Sequence, residues 1–189
     1  GLLAPSIGDA EPQFRSFMSA SRDRYPAWLH WLAQRTGIEV TLDRSGIIEV
    51  GTQTIASARA GIERLDAAAL ETLEPALTNY SSALLYHDDG YVDNVSLLAA
   101  LREAARCEWS IDVVEGRVAA IQPGMDSCTA TMEDGRTQRG RAVVLAAGAW
   151  IALLVGAPRP VPVEPVRGQM LRLQGAPLSH AVSAGDAYL

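Results

Sequence analysis

The stretch from Ala142 to Pro158 carries no charged side chain, although Arg141 and Arg159 bound it. It is 17 residues long, against about 20 for a membrane-spanning helix. Gly148, Gly156 and Pro158 interrupt it, and each disfavours a continuous helix. A strand over residues 141–146, a glycine turn and a short core helix over residues 150–155 account for it better than a membrane span. A strand that is apolar at every position implies burial on both faces, as in a parallel sheet. A strand that feeds straight into a helix places the chain in the α/β class, with mixed α+β character where alternating strands surround it.

The composition narrows the chemistry. All 16 basic residues are Arg, and 22 acidic residues give a net charge of −6. Without Lys there is no lysine Schiff base and no GxxxxGK phosphate loop. The acidic balance argues against nucleic acid as a partner, because phosphate affinity needs clustered positive charge. Two cysteines, Cys107 and Cys128, are too few for a disulfide framework and lack CxxC spacing. They read as two buried, reduced thiols in a cytoplasmic protein. No charged segment leads into an apolar signal region. The chain begins at Gly1 and stops at Ala187-Tyr188-Leu189. Both ends read as cut through structure, so an interior piece of a longer protein is expected.

Periodicity organises the rest. Phe14, Phe17, Met18, Ser21, Tyr25, Trp28, Leu29 and Leu32 recur at steps of three and four, which predicts a helix over residues 12–35 with its stripe in the core. Pro26 should kink it and Gly37 should end it. Residues 38–42 and 46–50 alternate and predict a hairpin. The Ala-rich segment 52–77 predicts two helices, the second capped by Asp66. Residues 83–86 read as a strand, residues 87–90 as a polar turn, and Asp93 or Asn94 as the cap of a helix bearing Leu97, Leu98, Leu101, Ala104 and Ala105. Strands follow over residues 110–114 and 117–122, then a hairpin over residues 129–139 turning at Asp134-Gly135. Pro158, Pro160, Pro162 and Pro165 form an extended connector, after which residues 166–173 alternate again. The change of character near Ala157 suggests separate layers or subdomains.

Four places could carry chemistry. At Ala146-Ala147-Gly148-Ala149-Trp150 small residues would let a ligand approach the backbone at a strand's end. A tight packing turn explains the same residues equally well. His87-Asp88-Asp89-Gly90-Tyr91-Val92-Asp93 has too few alternating ligands for a calcium loop and reads better as turn and cap chemistry. Arg167 beside Gly168 could fork a carboxylate or decorate a sheet edge. Tyr188 could reach into a cleft or pack. His30 and His180 stand alone, and the chain has no GxGxxG, GxSxG or HExxH motif.

In order and spacing, several segments resemble the glycine oxidase branch of the D-amino-acid oxidase family of FAD-dependent oxidoreductases. They are Gly1-Leu2-Leu3-Ala4-Pro5, Leu73-Glu74-Pro75-Ala76-Leu77, Asp88 to Asp93, Leu97 to Ala105, Val143 to Trp150, Pro165-Val166-Arg167-Gly168-Gln169-Met170, and Tyr188-Leu189. The resemblance implies a longer protein, with a strand–GxGxxG–helix unit before Gly1 and a substrate-carboxylate Arg after Leu189. It implies that residues 1–36 and 92–156 belong to a Rossmann-like FAD-binding domain, and residues 37–91 and 157–189 to an antiparallel-sheet substrate domain.

By the same resemblance the cofactor is FAD. Gly1 and Leu2 are expected to lie against the flavin. Val118 is expected to meet the adenine end through its backbone. Gly148 and Ala149 form the turn approaching the cofactor, with Trp150 opening the next helix, and Tyr188 lies near the substrate. Arg167 is expected to be structural. The implied reaction is oxidative deamination of glycine or another small amino acid or amine to an imine, with molecular oxygen reduced to peroxide, in the setting of thiazole formation for thiamine. No catalytic acid–base residue is assigned, and no metal. Neither membrane nor nucleic acid is an expected partner, while exposed sheet edges are compatible with a homo-oligomer. A sarcosine oxidase-like enzyme, a D-amino-acid dehydrogenase and a non-catalytic α/β ligand-binding module are the alternative readings.

Overall fold

The computed structural model describes residues 1–51, 59–108, 111–157, 159–169, 175, 178–185 and 187–189. Two compact units result, one of Gly1–Val113 with Gln174–Leu189 and one of Val114–Leu173. In chain order the elements are β1 (Leu2–Leu3), α1 (Pro12–Arg22), α2 (Tyr25–Thr36), β2 (Leu42–Asp43), β3 (Ile47–Val50), β4 (Ile62–Asp66), α3 (Ala67–Leu73), β5 (Ser82–Tyr86), β6 (Gly90–Val92) and α4 (Asn94–Cys107). They continue with β7 (Val118–Pro123), β8 (Cys128–Met132), β9 (Thr137–Gly140), β10 (Ala181–Ala184) and β11 (Ala187–Tyr188). Short 3-10 helices cover Pro75–Leu77 and Gly148–Leu153. Helix and sheet are mixed, as the α/β reading with α+β character expects.

The first unit holds two sheets. The larger runs β11-β10-β3-β5-β4, with β3 parallel to β10 and the other pairs antiparallel. Ile48, Val50, Leu65, Ala83, Leu85 and Val182 pack with Leu70 of α3 and with Leu77 to form one core. The smaller sheet, β1-β6-β2, adjoins a second core in which Leu29 and Leu32 of α2 meet Val92 and the small Ala100 and Ala104 of α4. Leu32 is completely buried, and burial of such a side chain contributes about 2 kcal/mol. The helix caps follow local chemistry. Asp66 accepts from the Ala69 backbone at 2.9 Å, Asp93 accepts from that of Val95 at 3.0 Å, and Gly37 ends α2 at φ +69°.

Several expectations need correction. The first helix is two, α1 and α2, separated at Asp23-Arg24. Pro26 lies in the first turn of α2, where its missing N–H costs nothing, so it does not kink a helix. Phe14 and Phe17 are 57% and 70% exposed, so of the stripe Leu29 and Leu32 are core and Tyr25 packs against them. The cysteines are not buried either, since Cys107 is exposed and Cys128 partly so. Residues 38–41 form no strand, and β2 and β3 do not form a hairpin, because they belong to different sheets. Gly46, at φ +107°, turns the chain from one sheet to the other. The first helix expected in 52–77 is contradicted over 62–66, which is strand β4 with Leu65 buried beside Ala83. Pairing with β5 there overrides a helical composition, and residues 52–58 lie outside the described set. Of the strand expected over residues 110–114, residues 111–114 form none and residue 110 lies outside the described residues. Residues 166–169 form none either, and 170–174 lie outside the described residues.

The second unit is built on the antiparallel order β7-β8-β9, and the β8–β9 hairpin is the one read from the sequence. Residues 141–146 do not form the expected doubly buried strand. No described strand pairs with them, and Val144 is 89% exposed. An apolar run shows a tendency to be covered, but a ladder also needs a neighbour, and that is not encoded locally.

Candidate functional site

A β-bulge lies beside a concave feature of the second unit. Val118 faces Met132 but Ala120 faces Thr131, so β7 carries one residue more than β8 at this point. Such an insertion bends the strand and re-aims its side chains. Behind the bulge, Ile121 N–H donates to the Val155 carbonyl at 2.8 Å, and Val155 N–H donates to the Ala119 carbonyl at 3.3 Å. Gly156, at φ +88°, makes this approach possible, since a Cβ there would run into the carbonyl oxygen of Ile121. The result is a cavity of about 720 Å³ walled by Val118, Ala119 and Ile121, by residues 143–147, and by Trp150, Leu153 and Leu154. Arg117 and Glu133 also line it, and they pair with each other at 3.4 Å with both side chains exposed.

The 144–150 turn leaves its backbone open at Gly148. Gly148 adopts φ +53°, and no heavy atom lies within 4 Å of where its Cβ would sit. Trp150 lines the cavity, with its N–H donating to the Ala147 carbonyl at 3.1 Å. The helix expected from Trp150 to Val155 is instead a 3-10 helix, Gly148–Leu153. A six-residue 3-10 segment carries too little aligned dipole to act as an anion site. What the turn offers is bare main chain beside apolar walls. Cofactor pockets commonly occupy about 300–1,000 Å³, with mostly apolar linings and a few polar groups. The cavity and the open Gly148 backbone meet that description, so these residues fit part of a dinucleotide such as FAD.

Of the expected site residues, the structure brings Val118 and Trp150 to one cavity, with Gly148 and Ala149 following its wall residue Ala147. Gly1, Leu2 and Tyr188 belong to the first unit. Leu2 pairs with Tyr91 in the smaller sheet, and the Gly1 carbonyl accepts from Val92 N–H at 2.9 Å. Tyr188 sits on β11 opposite Ser183 and is 53% exposed. Cross-strand partners share a sheet face, so Tyr188, Ser183 and Glu49 point to one side of the larger sheet. On that side the Tyr86 hydroxyl donates to Glu49 Oε2 at 2.5 Å. Burial, reinforced by Glu49, pushes the Tyr86 phenol well above its ordinary range. Arg167 is exposed and outside regular structure.

Two buried acids escaped the sequence reading. Asp89, read there as turn chemistry, is fully buried against Arg22 and Ser6. Glu74, 1% exposed, accepts from Ser179 and His180. The acids and their partners lie far apart in sequence, so no local pattern marks them. The Leu-Glu-Pro and Asp-Gly contexts were the available signals. Among the described residues, no group of three or more His, Cys, Asp or Glu could hold a metal ion, and no helix is long and apolar enough to cross a membrane.

Comparisons with known proteins place the chain in a family. The family described as DAO, FAD dependent oxidoreductase, matches residues 1–188. The bifunctional protein ThiO/ThiG of Synechocystis sp. is 32% identical over 200 residues, an alignment covering 100% of this chain and 30% of the relative. Glycine oxidase from Geobacillus kaustophilus superposes with a TM-score of 0.77 at 24% identity, covering 100% of this chain and 55% of that one. Glycine oxidase from Bacillus cereus gives 0.69 at 22% identity, over 82% of this chain and 46% of that one. At these identities the structures attest the fold. The chain thus spans about a third of the curated relative and about half of the solved structures. A match along nearly its whole length, on a fold shared with glycine oxidases, makes this chain a member of the DAO family of FAD-dependent oxidoreductases.

Proposed function

We propose that the protein containing this chain oxidises glycine or another small amino acid to an imine, releasing hydrogen peroxide, in the cytoplasm. Its product would feed thiazole formation for thiamine, a setting suggested by the ThiO/ThiG relative. The observation that carries the reading is the cavity behind the β7 bulge, where Val118 and Trp150 meet beside the open Gly148 turn, in a chain of this family. When bound, FAD supplies the two-electron acceptor for the amine and the route by which those electrons reach dioxygen. Val118, Trp150 and the 148–149 backbone would hold the cofactor. Taken by itself, the first unit would set Gly1 and Leu2 against FAD, as the family resemblance implies. Tyr188 offers a hydroxyl that orients the substrate amine or carboxylate.

Purified full-length protein is expected to be yellow and to release peroxide on addition of glycine. Sarcosine and D-alanine, tested with and without oxygen, distinguish a sarcosine oxidase-like enzyme and a dehydrogenase from a glycine oxidase. A colourless protein that ignores FAD would leave a non-catalytic binding module. Tyr188→Phe removes one substrate hydrogen bond, so kcat/KM should fall about fivefold to tenfold. Wild-type kinetics would make Tyr188 a packing residue. Gly148→Val should weaken FAD affinity at least about tenfold by filling the open backbone face, with strain from φ +53° adding about 1 kcal/mol to instability. Unchanged flavin affinity, read by fluorescence titration, would remove Gly148 from the site.

A further inference from the structure

We propose that Asp89 is a positioning residue for the cofactor-facing segment β1, acting through Ser6 and Arg22. The proposal rests on the reading that Gly1 and Leu2 lie against FAD.

Strand β1 has two residues, paired as Leu2↔Tyr91 and Leu3↔Gly90, and the Gly1 carbonyl before it accepts from Val92 N–H. So short a ladder holds its register weakly. The loop that leaves β1 returns at Ser6 to the carboxylate immediately before β6. Asp89 Oδ2 accepts from the Ser6 backbone N–H at 3.0 Å, and Oδ1 accepts from the Ser6 hydroxyl at 3.0 Å. Arg22 Nη1 at the end of α1 donates to Oδ1 at 2.8 Å. The Asp89 side chain is 0% exposed and that of Arg22 is 10% exposed.

The network extends further. Arg22 Nε and Nη2 both reach Asp23 Oδ1 at 2.9 Å, and Arg44 Nη2 lies 3.7 Å from the same oxygen. The relay Arg44–Asp23–Arg22–Asp89–Ser6 therefore joins the β2–β3 connection, the α1–α2 break, the turn before β6 and the loop after β1. On its other side β6 is fixed by Gly90, where a Cβ would run into the Asp43 carbonyl oxygen.

A buried ion pair contributes little net stability compared with an apolar replacement, because desolvation offsets the attraction. Its distinctive effect is directional, since a carboxylate with three donors admits one arrangement of the segments that supply them. Here those segments are α1 and the continuation of β1. Asp89 thus fixes the depth and register at which Gly1 and Leu2 are presented.

The test uses full-length holoenzyme carrying Ser6→Ala, Asp89→Asn, both together, or Gly1→Val. FAD dissociation is read from recovery of flavin fluorescence, and the flavin environment from visible circular dichroism. Ser6→Ala should raise the FAD Kd about threefold and Asp89→Asn about tenfold, each with an altered dichroism spectrum. The double variant should fall short of the sum, because both changes act through one contact. Ser6→Ala leaves the Arg22–Asp89 pair in place, so it reports even if Asp89→Asn fails to fold. Gly1 has no heavy atom within 4 Å of a Cβ position, so Gly1→Val probes the cofactor rather than packing. If Gly1→Val weakens FAD while Ser6→Ala keeps wild-type affinity and dichroism, the positioning role is overturned. If Gly1→Val also binds FAD as wild type does, the placement of β1 against the cofactor has failed and the inference falls with it.

Discussion

Gly156→Val is expected to destabilise the second unit by at least about 3 kcal/mol and to close the cavity beside β7. The position has φ +88°, which costs an L side chain about 1–2 kcal/mol, more if β-branched. Its Cβ would meet the Ile121 carbonyl oxygen, which is main chain and cannot rotate away. Relief requires residues 155–156 to leave β7, which breaks the Ile121–Val155 and Val155–Ala119 hydrogen bonds, each worth about 1 kcal/mol. Even Gly156→Ala should behave in this way, since the clash begins at Cβ. Gly148 provides the contrast, because it also has positive φ but has open space around it. Urea unfolding of the full-length protein, followed by FAD titration, separates the two cases. Gly156→Ala should lose stability first and affinity as a consequence, whereas Gly148→Ala should lose affinity at a small stability cost. Wild-type unfolding of Gly156→Val would mean that β7 and residues 155–156 do not pack as described.

Glu74→Ala is the second large effect, about 3 kcal/mol by the loss of one buried acceptor. Oε2 accepts from Ser179 N–H at 2.9 Å, Ser179 hydroxyl at 2.8 Å and His180 N–H at 3.1 Å, and His180 Nδ1 is 3.2 Å away. These contacts tie the end of α3 to the segment entering β10, and β10 carries Tyr188 through its pairing with β11. Burial pushes the carboxyl up, but the Ser179 and His180 donors outweigh it and hold the group below its usual range. A depressed folded pKa stabilises the protein above the unfolded value. That stability is lost as pH falls through the folded value. The wild type should therefore lose more stability than Glu74→Gln between about pH 7 and about pH 3, because Gln has no proton to take up. Equal acid sensitivity in the two proteins, measured by urea unfolding, would refute the role of the Glu74 charge.

What could be read from the sequence is what neighbouring residues decide. Asp66 and Asp93 cap helices through backbone N–H groups two or three positions on, and Gly37 ends α2 with its own backbone. The β8–β9 hairpin likewise follows from Asp134-Gly135 between alternating segments. Pairings between remote segments could not be read this way. Nothing near Ile47 announces a parallel neighbour at Ala181, and nothing near Asp89 announces Arg22. The apolar character of residues 141–147 was plain, but whether it makes a strand or a cavity wall depends on what stands beside it. For the site, small residues at 146–149 marked the open turn. The bulge that presents Val118 to the same cavity depends on one extra residue in a cross-strand register, which the residue pattern of β7 alone does not show.

The most direct test of the account is hydrogen–deuterium exchange on the full-length protein with and without FAD. Residues 116–121 and 143–150 should gain protection when FAD binds. Bound FAD that leaves 116–121 and 143–150 exchanging at the rate of the cofactor-free protein would contradict the placement of the cofactor in this cavity.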